Sequence, residues 1–145
     1  MTLSVGTPAP EFTTKDTHGN LVSLSDFKGK TVVLYFYPKD DTPGCTKQAC
    51  SFRDNYGDYQ AKDVVVLGVS ADDEASHQQF TEKFNLPFPL LADSDRSIIQ
   101  AYDVDAGSYA KRVTYVIDQT GKITHVYDTV QTATHATDVM ADLAA

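Results

Sequence analysis

The chain has 145 residues, the length of one ordinary domain. Its net charge is −8 and its pI is about 4.7, so its surface disfavours nucleic-acid phosphates and anionic lipid. Two cysteines are too few for a disulfide-stabilised scaffold, whereas 41% hydrophobic residues suffice for an apolar core. We therefore predict one domain over residues 1–145, with no nucleic-acid or membrane partner.

The N-terminal residues Met1–Gly6 lack a basic segment followed by an apolar core, so no leader peptide is predicted. No apolar stretch approaches the ~20 residues that a membrane helix needs. A reducing cytoplasm is the expected compartment, and there two isolated cysteines are reactive or incidental rather than a structural framework.

The first half of the chain alternates strands and helices. His18–Asn20 lies between short extended segments and predicts a hairpin. The β-branched and aromatic run Thr31–Tyr37 is typical of a central strand covered on both faces. A helix is predicted to begin at Thr42-Pro43, with threonine as N-cap and proline at the first helical position, and to end at Tyr59–Gln60, with Gly57 as the candidate break.

The second half continues this alternation. The predicted elements are a strand at Val64–Val69, a capped helix at Glu74–Phe84, a short strand at Leu90–Leu91, a helix at Asp95–Tyr102, strands at Val113–Ile117 and Ile123–Tyr127, and a helix at Thr134–Leu143. This order predicts an α/β layer sandwich with a mixed central β-sheet and an N-terminal hairpin. It places Cys45 beyond the end of the first long strand, where open α/β sheets hold their active sites.

Both cysteines lie in the segment Pro38–Cys50. Counted from Thr42, Cys45 is the third helical residue, and the free amides of a first helical turn favour a thiolate there. Cys50 follows five positions later, so in an ideal helix the two Cα atoms are about 8.7 Å apart and the side chains diverge by ~140°. A disulfide tolerates about 7 Å, so the helix must unwind for these cysteines to pair. Oxidation should then reduce the helical circular dichroism.

Other interpretations of these residues stay open. Inert core cysteines are the competing explanation, a stronger one for Cys50 than for Cys45. The Thr42 hydroxyl is either a helix cap or a catalytic group facing the thiolate, and the cap is favoured. The spacing is C-x-x-x-x-C rather than a thioredoxin C-x-x-C. No metal site is predicted, because the four histidines are scattered and are interpreted as surface or turn residues: His18, His77, His125 and His135.

The motif Pro38-x-x-x-Thr42-x-x-Cys45 resembles the active-site motif of the peroxiredoxins. The wider string Phe36–Thr46, with Cys50 and Phe52-Arg53-Asp54 after it, is similar to the bacterioferritin comigratory protein or peroxiredoxin Q group. The resemblance covers nearly the whole chain, through three further segments: Val5–Phe12, Gly68–Ser70 and Arg112–Asp118.

This resemblance implies a thiol peroxidase on a thioredoxin-like fold that needs neither a metal nor an organic cofactor. Cys45 would attack the peroxide and become a sulfenic acid, and Cys50 would resolve it as an intramolecular disulfide. Thr42 would hydrogen-bond the thiolate and the peroxide, Pro38 would form the pocket wall, and Arg112 would bring the cation. A thioredoxin-type reductant would restore both thiols.

Lys111 is adjacent to Arg112, but the R-x-T spacing and the planar guanidinium favour the arginine. The segment Asp103–Ala110 is shorter than the corresponding loop of many relatives, and not every relative has the second cysteine. The alternatives to a peroxidase are a general thiol–disulfide oxidoreductase and a non-enzymatic redox-sensing binding module. Since no extended C-terminal arm is present, a monomer is expected.

Overall fold

A computed structural model describes residues 2–144, without the side chain of Ala144, so Met1 and Ala145 of the predicted domain lie outside the described residues. The strands are β1 (Thr13–Lys15), β2 (Leu21–Ser23), β3 (Thr31–Phe36), β4 (Val64–Ser70), β5 (Leu90–Ala92), β6 (Val113–Ile117) and β7 (Ile123–Tyr127). The helices are α1 (Pro43–Asp54), α2 (Tyr56–Ala61), α3 (Glu74–Phe84), α4 (Ser97–Ala101) and α5 (His135–Ala144), with a 3₁₀ turn at Leu24–Phe27. None of the helices within residues 2–144 has the length and apolar character needed to cross a membrane.

The central sheet has the strand order β5-β4-β3-β6-β7. β3 is its middle strand and runs parallel to β4 but antiparallel to β6, with Val113 opposite Phe36. β7 pairs antiparallel with β6 at the edge, and β1 and β2 form a separate antiparallel hairpin. The predicted mixed α/β sheet and the N-terminal hairpin are confirmed.

Successive side chains of β3 point to opposite faces of the sheet, as the pleat requires. Leu34 and Phe36 lie in an apolar cluster with Ile98 and Ile99 of α4, and we call this side the α4 face. Val33 and Tyr35 lie in a second cluster with residues of α1, α2, α3 and α5, among them Ala49, Phe52, Tyr59, Phe80 and Val139. We call this side the α1 face. Both faces of β3 are buried, which explains why the strand has no polar alternation.

Two predicted helices differ from those observed. The helix that begins at Pro43 is interrupted at Asn55, not at Gly57, which lies inside α2. The Asn55 side-chain amide donates to the Ser51 carbonyl at 2.8 Å and competes with the regular helical bonds. α4 begins at Ser97 rather than Asp95, because Arg96 has the left-handed conformation (φ 61°). The predicted bounds of α3 are confirmed, with the Asp73 side chain accepting from the Ser76 amide at 2.9 Å.

Candidate active site

Cys45 owes its position to the end of β3 and the start of α1. Thr42 has the extended conformation of an N-cap, Pro43 is the first helical residue, and the Thr46 amide donates to the Thr42 carbonyl at 2.8 Å. Cys45 is therefore the third helical residue, as predicted. Its side chain is buried, and its amide belongs to the first turn, whose N–H groups have no helical acceptor.

A guanidinium lies beside this thiol. Arg112 Nη2 is 3.3 Å from Cys45 Sγ, and Arg112 Nη1 donates to Gln48 Oε1 at 2.7 Å. The sheet explains this meeting, because Val113 pairs with Phe36 and so the start of β6 lies where the chain leaves β3 for α1. The arrangement holds a thiol amid two positive elements, a cation and a helix N-terminus, and both stabilise its ionised form.

Gly44 lets the guanidinium approach the helix. A Cβ atom at this position would lie 3.0 Å from Arg112 Nη2 and 3.9 Å from Thr132 Cγ2. Any larger residue would therefore press on the cation that contacts Cys45. The residue is required for space, since its backbone is ordinary helix.

The predicted helix cap by the Thr42 side chain is wrong. Thr42 occupies the N-cap position, but its hydroxyl donates to the Lys39 carbonyl at 2.9 Å and makes no capping bond. The reason is the turn before α1, in which Asp41 is left-handed (φ 57°) and brings Lys39 within reach. Pro38 is half-buried and lines a surface cleft with Ala71, Asp72, Ser108 and Tyr109.

Cys50 lies in the same uninterrupted helix as Cys45, and both are free thiols. Cys50 is half-buried, in contrast to the buried Cys45. The ideal helical separation of about 8.7 Å between their Cα atoms therefore applies to the folded protein, beyond the range of a disulfide.

The interpretation of the histidines as surface or turn residues is wrong for two of them. His77 is fully buried in α3, and His135 is 2% exposed at the start of α5. His135 Nε2 is 2.8 Å from Thr114 Oγ1, and the ring packs edge-on against Phe52. Burial lowers the pKa of His135 to about 4, while Asp138 opposes the shift and Arg112 adds to it. His135 is therefore neutral at neutral pH.

Sequence reasoning missed Gln48, which is fully buried and fixes Arg112. A signal was present, because Gln48 follows Cys45 by three positions and such residues share one side of a helix.

Sequence reasoning also missed a cluster of polar side chains around His77 of α3. Within residues 2–144, Asp40, Asp72 and His77 have ligand-type atoms within 4.8 Å of one another, the geometry of a candidate cation site.

A buried thiol in the first turn of a helix, beside a guanidinium, is an arrangement that activates cysteines, and it indicates a thiol-dependent oxidoreductase. The chain belongs to the AhpC/TSA family, which residues 5–126 match. It is 45% identical over 151 aligned positions to the putative peroxiredoxin bcp of Coxiella burnetii, an alignment that covers 99% of this chain and all of that protein. The chloroplastic peroxiredoxin Q of Triticum aestivum is 49% identical over 129 positions, which cover 87% of this chain and 59% of that protein's length.

Solved structures of similar proteins have the same fold. A cysteine-to-serine variant of Xylella fastidiosa PrxQ superposes with a TM-score of 0.93 at 29% identity and covers 99% of this chain and 97% of its own. A Xanthomonas campestris bacterioferritin comigratory protein superposes with a TM-score of 0.86 at 30% identity, with 92% and 90% covered. The predicted thioredoxin-like fold, the resemblance to the Bcp and peroxiredoxin Q group and the thiol peroxidase activity are confirmed.

Proposed function

We propose that this peroxidase reduces hydrogen peroxide and organic hydroperoxides at Cys45 and forms a Cys45–Cys50 disulfide that a thioredoxin-type dithiol reduces. The observation that carries the proposal is the 3.3 Å contact between Arg112 Nη2 and the buried Cys45 Sγ. The Xanthomonas campestris bacterioferritin comigratory protein has alkyl peroxide reduction activity, which supports organic hydroperoxides as substrates.

In the first step the Cys45 thiolate attacks one oxygen of the O–O bond. A new S–O bond forms, the O–O bond breaks, and the other oxygen leaves with a proton as water or an alcohol. Cys45 is oxidised to the sulfenic acid and the peroxide is reduced. Negative charge moves onto the departing oxygen, so preorganised donors stabilise the transition state. Arg112 and the free amides of Gly44 and Cys45 are the proposed donors, and the contact of Arg112 with Cys45 Sγ supports this role.

Two further residues complete the proposed pocket. The Thr42 hydroxyl, which donates to Lys39 in the described structure, turns to donate to the thiolate or the bound peroxide. Pro38 forms one wall of the pocket and limits the access of water to Cys45. Both roles place neutral groups beside the anion, where removal of bulk water strengthens the Arg112 interaction.

In the second step the Cys50 thiol attacks the Cys45 sulfenic acid, an S–S bond forms and water leaves. Since α1 holds the two cysteines too far apart, its first turns unwind before this step. A dithiol reductant then attacks the disulfide, becomes oxidised itself and returns both cysteines to thiols. The half-exposed position of Cys50 supports this role.

The remaining proposals concern the setting of the enzyme. The reductant is a thioredoxin or a similar dithiol protein, and the protein is a monomer in the cytoplasm that binds neither nucleic acid nor membrane. The two free thiols and the net charge of −8 support these proposals. Residues 1–145 are proposed to form one domain.

The test is a rapid-mixing experiment in which reduced protein meets hydrogen peroxide and remaining thiols are trapped and counted. We expect the wild-type protein to lose two thiols and Cys50→Ser to lose one, whereas Cys45→Ser consumes no peroxide. With thioredoxin and its reductase, only the wild-type protein should turn over. Oxidation should lower the helical circular dichroism of the wild-type protein but leave that of Cys50→Ser unchanged.

Each alternative gives a different result. A general thiol–disulfide oxidoreductase would reduce a disulfide substrate but react slowly with peroxide, and a redox-sensing module would oxidise once without turnover. Normal thioredoxin-driven cycling of Cys50→Ser would remove the resolving role from Cys50. An unchanged helical spectrum on disulfide formation would contradict the unwinding of α1.

A further inference from the structure

The segment 38–45, which joins β3 to Cys45, is fastened to the protein at one buried residue, Asp40. The Asp40 side chain is 3% exposed and contacts Tyr37, which directly follows β3, and two residues of α3. Its Oδ1 accepts from the Tyr37 hydroxyl at 2.6 Å, and its Oδ2 accepts from the Ser76 hydroxyl at 2.8 Å and lies 2.7 Å from His77 Nδ1. The Asp40 amide donates to Asp72 Oδ2 at 2.8 Å.

The hydrogen-bond partners place one ring proton of His77. Its Nε2 is 3.0 Å from the Leu91 carbonyl, which can only accept, so Nε2 carries a proton. Burial and the nearby Asp40 raise the pKa of Tyr37 well above its usual value, so the Tyr37 hydroxyl keeps its proton and donates to Asp40. The 2.7 Å contact between His77 Nδ1 and Asp40 Oδ2 shares one further proton between two buried side chains and joins α3 to the segment before Cys45.

We infer that His77, through its buried contact with Asp40, is the positioning residue of the segment that carries Cys45. Both side chains of this contact are buried. The pair joins the chain to α3 and β5 five residues before Cys45 and two before Thr42. This inference rests on the proposed function.

The proposed mechanism explains why a fixed contact between Asp40 and His77 is useful. The first turns of α1 must unwind and re-form in every cycle, whereas the Arg112 contact requires Cys45 to return to the same place. A displacement of about 1 Å at a reacting group can cost roughly a hundredfold in rate. A buried anchor just before the moving turns confines the rearrangement to α1 and returns Cys45 to the same position when the helix re-forms.

The first test is spectroscopic and needs no altered residue. In ¹⁵N-labelled protein, two-bond ¹H–¹⁵N correlations of the His77 ring should be the same in the reduced and disulfide forms, because the anchor stays in place while α1 unwinds. The signals of His135, whose ring packs against Phe52 of α1, should change and are the internal reference. A change of the His77 signals as large as that of His135 would overturn the anchor. Movement of the His77 signals with one equivalent of Zn²⁺ would assign Asp40, Asp72 and His77 to a metal instead.

The second test is kinetic. We expect His77→Leu to slow Cys45 oxidation by roughly ten- to a hundredfold. The rate of disulfide formation after oxidation should be unchanged or higher. General destabilisation of the protein does not produce this difference between the two rates. His77→Asn keeps one donor for Asp40 and should recover part of the loss. His18→Leu, at an exposed histidine, is the matched control and should react like the wild-type protein.

Two outcomes separate the possible failures. If the wild-type protein does not react with peroxide, the proposed function fails; if it does and His77→Leu oxidises equally fast, only the positioning role fails. Should His77→Leu not fold, Asp72→Ala loosens the same segment by removing the acceptor of the Asp40 amide. We then expect at least about a threefold decrease in the oxidation rate, and an unchanged rate would overturn the inference.

Discussion

The two faces of the central sheet treat their buried polar groups differently. On the α4 face the Tyr102 hydroxyl donates to the Pro10 carbonyl and the Tyr115 hydroxyl to the Tyr102 carbonyl, each at 2.7 Å. On the α1 face, the buried atoms Tyr35 Oη and Gln48 Nε2 have no hydrogen-bond partner among the described residues. Each such atom costs about 1–3 kcal/mol in a closed protein interior. The α1 face, which opens in the proposed disulfide step, therefore holds buried polar atoms without hydrogen bonds.

The largest expected effect tests the cation of the α1 face. Arg112→Met should slow Cys45 oxidation by roughly a hundred- to a thousandfold, the range for loss of a preorganised transition-state donor. Lys111→Met, at the exposed neighbouring cation, is the control and should keep the wild-type rate. The measurement is the second-order rate constant with hydrogen peroxide. Equal losses in both variants would mean that net charge, rather than the Arg112 contact, matters.

A second prediction uses the buried histidine of the same face. The pKa of His135 is about 4 in the folded protein, below its usual 6.5, so the unfolded state binds the proton more strongly. The contribution of neutral His135 is therefore fully present above pH 6.5 and is lost as the pH falls toward 4. Between pH 7 and pH 4 the wild-type protein should lose about 3 kcal/mol more unfolding free energy than His135→Asn, measured in urea. Equal losses would contradict the buried neutral ring.

A third prediction compares the two faces directly. Tyr102→Phe leaves the Pro10 carbonyl without its donor and should lower the unfolding free energy by about 1–2 kcal/mol. Tyr35→Phe removes a buried hydroxyl that has no partner among the described residues, so we expect no loss or a gain of about 1 kcal/mol. Urea unfolding of both variants measures the difference. A loss in Tyr35→Phe as large as in Tyr102→Phe would mean that the faces are equally satisfied.

The smallest expected effect concerns the space beside Arg112. Gly44→Ala places a methyl group 3.0 Å from Arg112 Nη2, so the guanidinium must shift by a few tenths of an ångström. We expect the oxidation rate to fall about threefold, because the donor geometry changes, while the stability is unchanged or higher. Gly57→Ala is the matched control, since a Cβ there has no atom within 4 Å. It should gain stability and keep its rate.

Much of the fold follows from local sequence signals. The apolar runs of β3 and β4 and the Asp73 cap of α3 each act within a few residues, so their patterns could be recognised without a structure. The interruption at Asn55 could not, because it arises from a side chain that competes with the helical backbone. The length of α4 depends on one left-handed residue, Arg96, a conformation that the sequence does not signal.

The candidate site was predictable in its motif but not in its surroundings. Cys45 was predicted from its place in the first turn of a helix, and Arg112 from a resemblance. Their 3.3 Å contact depends on the pairing of β3 with β6, which is a property of the whole sheet. The burial of His77 and His135 could not be predicted, because each is covered by elements far away in the chain. Buried polar networks of this kind depend on three-dimensional partners rather than on periodicity.

The strand order has a consequence for biosynthesis. During translation the thiol of Cys45 leaves the ribosome well before Arg112, and β3 lacks its antiparallel neighbour until β6 has been made. Pairings between distant segments form late in folding. The nascent chain therefore carries a cysteine without its guanidinium, and full reactivity toward peroxide should arise only when the final third of the chain has folded.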